Sequence, residues 1–515
     1  MKRLKKIVLW GILSPVVFVL LVFVFFHIVE DTRGKYVWRQ YKRECAARGE
    51  NIEDWQSLVP PPVPDEDNIA MALIFQDLFA LKKRLGLPYL PKSGSSTVWQ
   101  TGEYENLDKW RVAVSNDNLL AALSVYDDNL REVEEALKRP FFRLEEWNGM
   151  SMNSTSGPPA FFAGYPMCVL AEFYRLRTRA KLEADQYSDS LEDIKLGFHI
   201  ANIGKADPTC VSVLYRIGSL STMFPPLWIG INERVWNEHQ LRELQEILEP
   251  INLADHAVRA IQFEGRYALS LRQMPHVWRA GGLWMEDTDI IGATCPFIGE
   301  ITPFLLSRGS ILQEPTLPPL AKFIFSIVPK GWFYQNAVRY SKTCGQLRPA
   351  IHADNRWFDA SQTKEAETAI NAILESGNSH VYTIAVKAFN RPFPKMIKRG
   401  AKIQSTLHQA ILACAIERYR LEHGHIPRQL DELVPVFLSK IPNDPIDGQP
   451  MRYKLVGDSD YILYSIGWNE TDDNGELAWK EKYGQRLQID INNGDWIWRS
   501  CPTELVATNG ASLAF

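Results

Sequence analysis

Twenty-three consecutive residues, Ile7 to Val29, carry no formal charge, and Lys2, Arg3, Lys5 and Lys6 stand immediately ahead of them. Wound as a helix at 1.5 Å per residue, the run extends about 34 Å, enough to cross roughly 30 Å of bilayer hydrocarbon with some tilt. It is too long for the apolar stretch of a cleaved signal peptide, and no A-x-A-like site follows it. It reads as an uncleaved signal anchor, with the lipid bilayer as partner through Ile7–Val29. The basic residues ahead of the run favour an N-terminus inside. Arg33, Lys35, Arg39, Lys42 and Arg43 beyond it nearly balance that bias, and the shortness of the tail decides for N-inside.

Taken whole, the chain hides this segment. Its 515 residues hold 57 Lys and Arg against 61 Asp and Glu, and 46% are hydrophobic. Such usage excludes a disordered chain and a multi-span transporter, and a net charge of −4 gives no reason to expect nucleic acid as a partner. Seven scattered cysteines make no disulfide framework. Buried free thiols are the simplest account, and one or two disulfides stay open if the body lies outside the cytoplasm.

After the apolar run, Lys35 to Arg48 reads as a basic, partly helical stalk, and Pro60-Pro61-Pro62-Val63-Pro64 as a stiff spacer that cannot continue a helix. Asp65 to Asn68 caps a helical pattern over Ile69–Leu85. Further patterns with apolar residues at three- and four-residue spacing fall at 117–138, 161–183, 188–204, 209–222, 237–249, 252–274, 361–390 and 401–423. Short breaks between them point to packed antiparallel hairpins over about 65–400, and no fixed repeat period emerges. Lys92–Gln100 and Asn148–Pro159 read as loops. Gly281–Pro319 reads as a long loop on the helices or the lining of a groove, and Phe323–Val328 as a packed core run too short to span a bilayer. From about 425 the spacing shifts toward two, with glycines between short segments containing Tyr453, Tyr461, Leu463, Leu487, Ile489 and Trp496 to Trp498. Those are strand and turn signals. The expected fold class is mainly α: an N-terminal transmembrane helix, a large helical body, and a small C-terminal α+β domain. The expected divisions are 1–30, 31–64, 65–400 and 401–515.

No H-E-x-x-H, G-x-S-x-G, Walker loop or C-x-x-C pair is present. His423-Gly424-His425 has two metal-ligand types, yet a helix end with Gly in the left-handed position explains it more simply. The Glu264-Gly265-Arg266 triplet fits a buried or an exposed ion pair equally well. The chemistry concentrates further on. Leu455 to Trp479 holds six acids (Asp458, Asp460, Glu470, Asp472, Asp473 and Glu476) and no Lys or Arg. Carboxylates crowded on a Gly-containing loop suit Ca²⁺, although the acids lack EF-hand spacing. A solvated acidic turn is the alternative.

The order of motifs in this last region resembles a known family. Gln409 to Pro427, with Gly424 and Pro427 at its end, is similar to the soluble part of the long helix of type II secretion major pseudopilins. Ile441 to Tyr453, Tyr461-Ile462-Leu463-Tyr464-Ser465-Ile466-Gly467 and Gly494-Asp495-Trp496-Ile497-Trp498 resemble the segments that follow it there. The likeness covers about 401–500, one fifth of the chain. It implies a pseudopilin-like α+β domain whose acidic loop holds Ca²⁺, with Ser465, Asp472, Asp473 and Glu476 as ligands by position. Two departures argue against a filament subunit: Gly11-Ile12-Leu13-Ser14-Pro15 does not match a prepilin-peptidase site, and some 370 residues separate the anchor from the pilin-like helix. The resulting expectation is a single-pass protein of the bacterial inner membrane with its bulk periplasmic. Its role would be interaction or scaffolding with protein partners in the envelope, within a secretion-related system or another. No catalytic residues are assigned; the competing expectation is an envelope-anchored hydrolase with its site in the helical body near 281–319.

Overall fold

The computed structural model describes residues 2–76, 116–124, 126–144, 160–270, 329–375, 382, 392–482 and 486–500. The stretches 92–100, 148–159, 281–319 and 323–328, with Cys295 and Cys501, lie outside the described residues.

Helix α1 runs unbroken over Lys2–Ala47. From Val16 to Val29 its side chains are exposed, His27 alone being half-buried, and the helix is long and apolar enough to cross a membrane. Its surroundings change at Glu30, which is 6% exposed. Beyond that point Tyr41 and Cys45 are buried against Ala337 and Val338 of the later helix α10 (Lys330–Leu347). The expected stalk is therefore a continuation of the anchor helix, packed along one face, with Lys35, Arg39, Lys42 and Arg43 turned to solvent. The segment after it is tied down as well. Trp55 meets Phe263 and Tyr267 edge-on at 6.1 and 5.6 Å, and the Pro60 carbonyl accepts from Arg143 Nε at 2.8 Å. Helix α1 ends at Ala47, ahead of the prolines, and the stretch of chain they stiffen lies against the body.

The body is built from α2 (Leu73–Gln76), α3 (Asn116–Ser124), α4 (Asp127–Leu137), α5 (Ala160–Glu183), α6 (Tyr187–Ile203), α7 (Cys210–Asn232), α8 (Glu238–Leu248), α9 (Leu253–Ser270), α10, and α11 (Ala360–Glu375). Helices α5, α6 and α7 pack on one another, and α9 packs on α10. The breaks are local chemistry. Thr209 caps α7 by accepting from Ser212 N at 3.1 Å, and Asn237 with Gln240 closes a capping box on α8. Several elements differ from expectation, the 117–138 pattern being divided into α3 and α4. Helix α7 continues ten residues past 222, through Pro225 and Pro226. Both faces are buried there (Phe224, Leu227 and Ile231 are at most 3% exposed), so tertiary packing outweighs the cost of the prolines. Helix α10 has no counterpart in the sequence reading.

A small hairpin, β1 (Ile351–His352) with β2 (Trp357–Phe358), precedes α11. The long helix α12 (Pro392–His423) begins nine residues before the expected 401. It packs on α7, α8 and α9 as well as on the C-terminal sheet. Gln404 illustrates the join: its Oε1 accepts from Leu253 N at 2.9 Å, occupying a free donor at the start of α9. Beyond α12 lie β3 (Arg452–Val456), β4 (Asp460–Ser465), β5 (Leu477–Lys482), β6 (Arg486–Gly494) and β7 (Trp496–Arg499). Strands β3, β4 and β7 form an antiparallel sheet in that order, and β5 and β6 form a separate antiparallel hairpin. Gln409 Nε2 donates to Trp496 O at 2.7 Å, fixing α12 against β7. One apolar cluster runs from Phe198 and Leu214 through Ile403 and Leu412 to Leu463 and Trp498. The chain is thus mainly helical, with a small sheet region near its C-terminus.

Candidate functional site

The polar groups of the C-terminal region gather where the acidic loop, residues 466–476, meets the turn before β3. Asp444 is the floor of that site and is fully buried. Its carboxylate accepts from Ile446 N (2.9 Å), Ser465 Oγ (2.8 Å) and Ile466 N (3.0 Å). Arg452, the first residue of β3, donates Nη1 to Asp444 (3.0 Å), Nη2 to Asp447 (2.6 Å) and Nε to Asp472 (3.3 Å). The guanidinium thus gathers three carboxylates, with Nη1 also donating to Asp447 at 3.4 Å, the arrangement for which a planar fork is suited. Burial pushes Asp444 up to about 6, against the hydrogen bonds that favour its charged form.

The loop is pinned from its other side by Asp495. This residue precedes β7 and is 1% exposed. It accepts from Asp473 N (3.3 Å) and Gly475 N (2.6 Å), while its own N–H donates to Glu476 O at 2.9 Å. Burial, joined by the charges of Asp473 and Asp472, raises its carboxyl to about 6. Gly494 beside it has φ +70°, and a Cβ there would lie 2.4 Å from Ala478 N, so only glycine fits this turn. The loop also reaches the body: Glu470 accepts from Ser361 Oγ (2.7 Å) and Lys364 Nζ (3.1 Å) at the start of α11. Between loop and body lies a cleft of about 490 Å³, lined among others by Trp357, Asp359, Asp447, Arg452, Glu470 and Asp472.

Of the four expected ligands, Ser465 is buried with its hydroxyl on Asp444. Asp472 faces Arg452, Asp473 accepts from Asn469 Nδ2 at 2.9 Å, and Glu476 is exposed. Their oxygens match a hard cation in kind, but among the described residues no three His, Cys, Asp or Glu side chains are grouped to hold a metal ion. An ion at this loop would compete with Arg452 and Asn469 for Asp472 and Asp473. The spacing signals did not single out Asp444, Arg452 or Asp495. The one available clue was that Arg452 and Lys454 are the last cations before a long run of acids.

His423 and His425 belong to a helix end. Gly424 has φ +81° and donates to Arg420 O at 2.8 Å. The His423 ring stacks on Tyr419 at 4.1 Å and its Nδ1–H reaches Tyr419 O at 3.0 Å. Within the body Arg216, His256 and Glu264 are satisfied locally. Arg216 donates Nη1 to His256 Nδ1 (3.3 Å), and His256 Nε2–H donates to Asp207 O (2.7 Å). Glu264 accepts from Cys210 N at 3.3 Å, and burial raises it to about 7. The 281–319 stretch expected to shape a hydrolase site lies outside the described residues. Cys45, Cys168, Cys210, Cys344 and Cys414 are free thiols. Compared with known proteins, the chain matches no family model, no curated protein and no solved structure.

Proposed function

We propose that the chain is a single-pass component of a bacterial cell envelope, anchored in the inner membrane by α1. On this reading its helical body and pseudopilin-like end act outside the cytoplasm as an interaction or scaffold element, within a secretion-related system or another envelope assembly. The observation that carries the reading is mechanical. One helix leaves the apolar run and, without a break, becomes a packed element of the body. Such a mount suits holding a surface at a fixed height and angle over a membrane, and a tethered catalyst has no need of it. The acidic loop supports the same reading, since Arg452 holds its Asp472, Ser361 and Lys364 of α11 hold its Glu470, and Asp495 accepts from its backbone, which ties the C-terminal end together. Calcium at Asp472 and Asp473 belongs to this proposal and draws on the pseudopilin resemblance.

The test is purification of the full chain from native membranes in mild detergent after carbonate washing, followed by sizing and mass spectrometry. The reading expects a carbonate-resistant chain that copurifies with a defined set of envelope proteins and loses them when the loop is cut out. A chain released by carbonate, or one that sizes alone under every detergent, would contradict it.

A further inference from the structure

The junction between α1 and α10 carries aromatic and cationic groups that the proposed scaffold role does not use. Glu30 is their hub. Its Oε2 accepts from Trp332 Nε1 at 3.0 Å and from the Tyr382 hydroxyl at 2.8 Å, and Arg33 lies 3.7 Å from its Oε1. Asp31 Oδ1 accepts from Gly331 N at 2.8 Å. Trp332 also stands edge-on to Phe26, with ring centroids 6.2 Å apart. Phe26 is inside the apolar run, about 4.5 Å of helix rise before its end at Val29. Tyr382 meets Trp332 edge-on at 6.1 Å. The Arg33 and Arg339 guanidiniums both lie over the Tyr382 ring, at 5.3 and 5.7 Å from its centroid. Lys330 is exposed at the first position of α10.

We propose that the first turn of α10, with Tyr382, Arg33 and Arg339, forms a second membrane contact that seats the body on phospholipid headgroups around α1. This rests on the reading of α1 as a bilayer span. If Phe26 is in hydrocarbon, the indole beside it occupies the depth where hydrocarbon gives way to headgroups, which is where Trp and Tyr rings gain most from an apolar body and a polar tip. The cations fit the same layer. Two guanidiniums and an ammonium surround a patch where, among the described residues, Glu30 is the one carboxylate in ion-pair range of Arg33, and none pairs with Arg339. Glu30 is itself shared with Trp332 and Tyr382, and Asp31 is taken up by Gly331 N, so three cations face two engaged carboxylates and the remaining positive charge calls for an outside anion. A phosphodiester at the headgroup level supplies one, and Arg binds phosphate through two parallel donors. The seat is also fixed in place, because the Gly34 and Gly331 backbones are in direct contact.

The experiment places the photoreactive residue p-benzoylphenylalanine singly at Lys330, Trp332, Phe18 or Leu455 in the full chain. Each variant is reconstituted in nanodiscs of phosphatidylcholine and phosphatidylglycerol. Phe18 reports the bilayer core, and Leu455, exposed on β3, reports a site away from the junction. The expected result is lipid adduct at Lys330 and Trp332 comparable to Phe18 and several-fold above Leu455. In an Arg33→Gln/Arg339→Gln background, the phosphatidylglycerol adduct at Lys330 should fall several-fold while the Phe18 adduct is retained. Lys330 is a surface position, so its substitution does not depend on repacking at Trp332. Adduct at Phe18 with background levels at both junction positions, or protein adducts there instead of lipid, would overturn the seat and leave the span intact. Background at Phe18 as well would overturn the span.

Discussion

Gly34 of α1 and Gly331 of α10 meet backbone to backbone. A Cβ on Gly34 would lie 2.3 Å from Gly331 Cα, and one on Gly331 would lie 1.9 Å from Glu30 O. No side-chain rotation relieves a clash with a main-chain atom, so this contact requires glycine on both sides. Gly331→Ala should push the helices apart and cost about 1–3 kcal/mol, the usual range for overpacking. The check is thermal unfolding of the full chain in detergent, with near-ultraviolet dichroism to show that the distant core around Phe198 and Phe224 still forms. An unchanged melting temperature would mean the helices do not touch there.

Arg452→Gln removes the cation shared by Asp444, Asp447 and Asp472. Breaking a buried pair from one side costs roughly 3–5 kcal/mol. The lower end is expected here, because Arg452 is partly exposed and Asp444 can take up a proton. Burial already holds Asp444 up at about 6. The loss should therefore be larger at pH 7.5 than at pH 5, and melting curves of both chains at the two pH values decide it.

On the proposed reading, Ca²⁺ at the acidic loop would compete with Arg452 for Asp472. The Ca²⁺-dependent rise in melting temperature should be larger in Arg452→Gln than in the wild-type chain, and absent once Asp472→Ala and Asp473→Ala are added. Equal responses with and without Arg452 would show that the ion, if bound, sits elsewhere.

His408 provides an acid-sensitive element. It is buried on α12, with Nδ1–H donating to Asn443 O at 2.7 Å and Nε2 accepting from Gln404 Nε2 at 3.0 Å. Burial brings it down to about 4. A histidine whose folded value lies below its unfolded value contributes stability above about pH 6.5 and loses it as pH falls toward 4. His408→Gln should lower the melting temperature at pH 7 by a few degrees and make its decline between pH 6.5 and 4 shallower. A parallel decline in both chains would contradict the assignment.

Asp495 has the opposite sign. Its carboxyl is raised to about 6, so its contribution is full below about pH 3.9 and is lost as pH rises through 6. The melting temperature of Asp495→Asn relative to wild type should thus become more favourable on going from pH 4 to pH 7. A constant difference would mean that Asp495 titrates normally.

What could be read in the sequence was whatever is encoded over a short span. The anchor run, the helical patterns at 209–222 and 237–249, the helix end at Gly424 and the alternation around Tyr461–Ser465 are all local patterns, and the structure has a corresponding element at each. The missed features depend on partners far away in the chain. The residues between the 361–390 and 401–423 patterns read as a break, yet α12 starts at Pro392 and passes through Pro394 and Gly400 because Phe393, Met396 and Ile397 are buried in the shared core. Helix α10 begins at a Pro-Lys-Gly sequence whose glycine makes sense only beside Gly34, some 300 residues earlier. In the site, the acids were visible as a cluster. Their counter-charge was not, because Arg452 lies 20 residues before Asp472 and faces it only once β3 and β4 are paired.

The central claim is that the body is fixed to a membrane-spanning helix. Electron paramagnetic resonance distances between spin labels at Val24 on α1 and Leu455 on β3, with the full chain in nanodiscs, test it most directly. The account predicts a single narrow distance distribution that broadens in Gly331→Ala. A broad distribution in the wild-type chain, unaffected by Gly331→Ala, would show a body swinging on its anchor and would contradict the account.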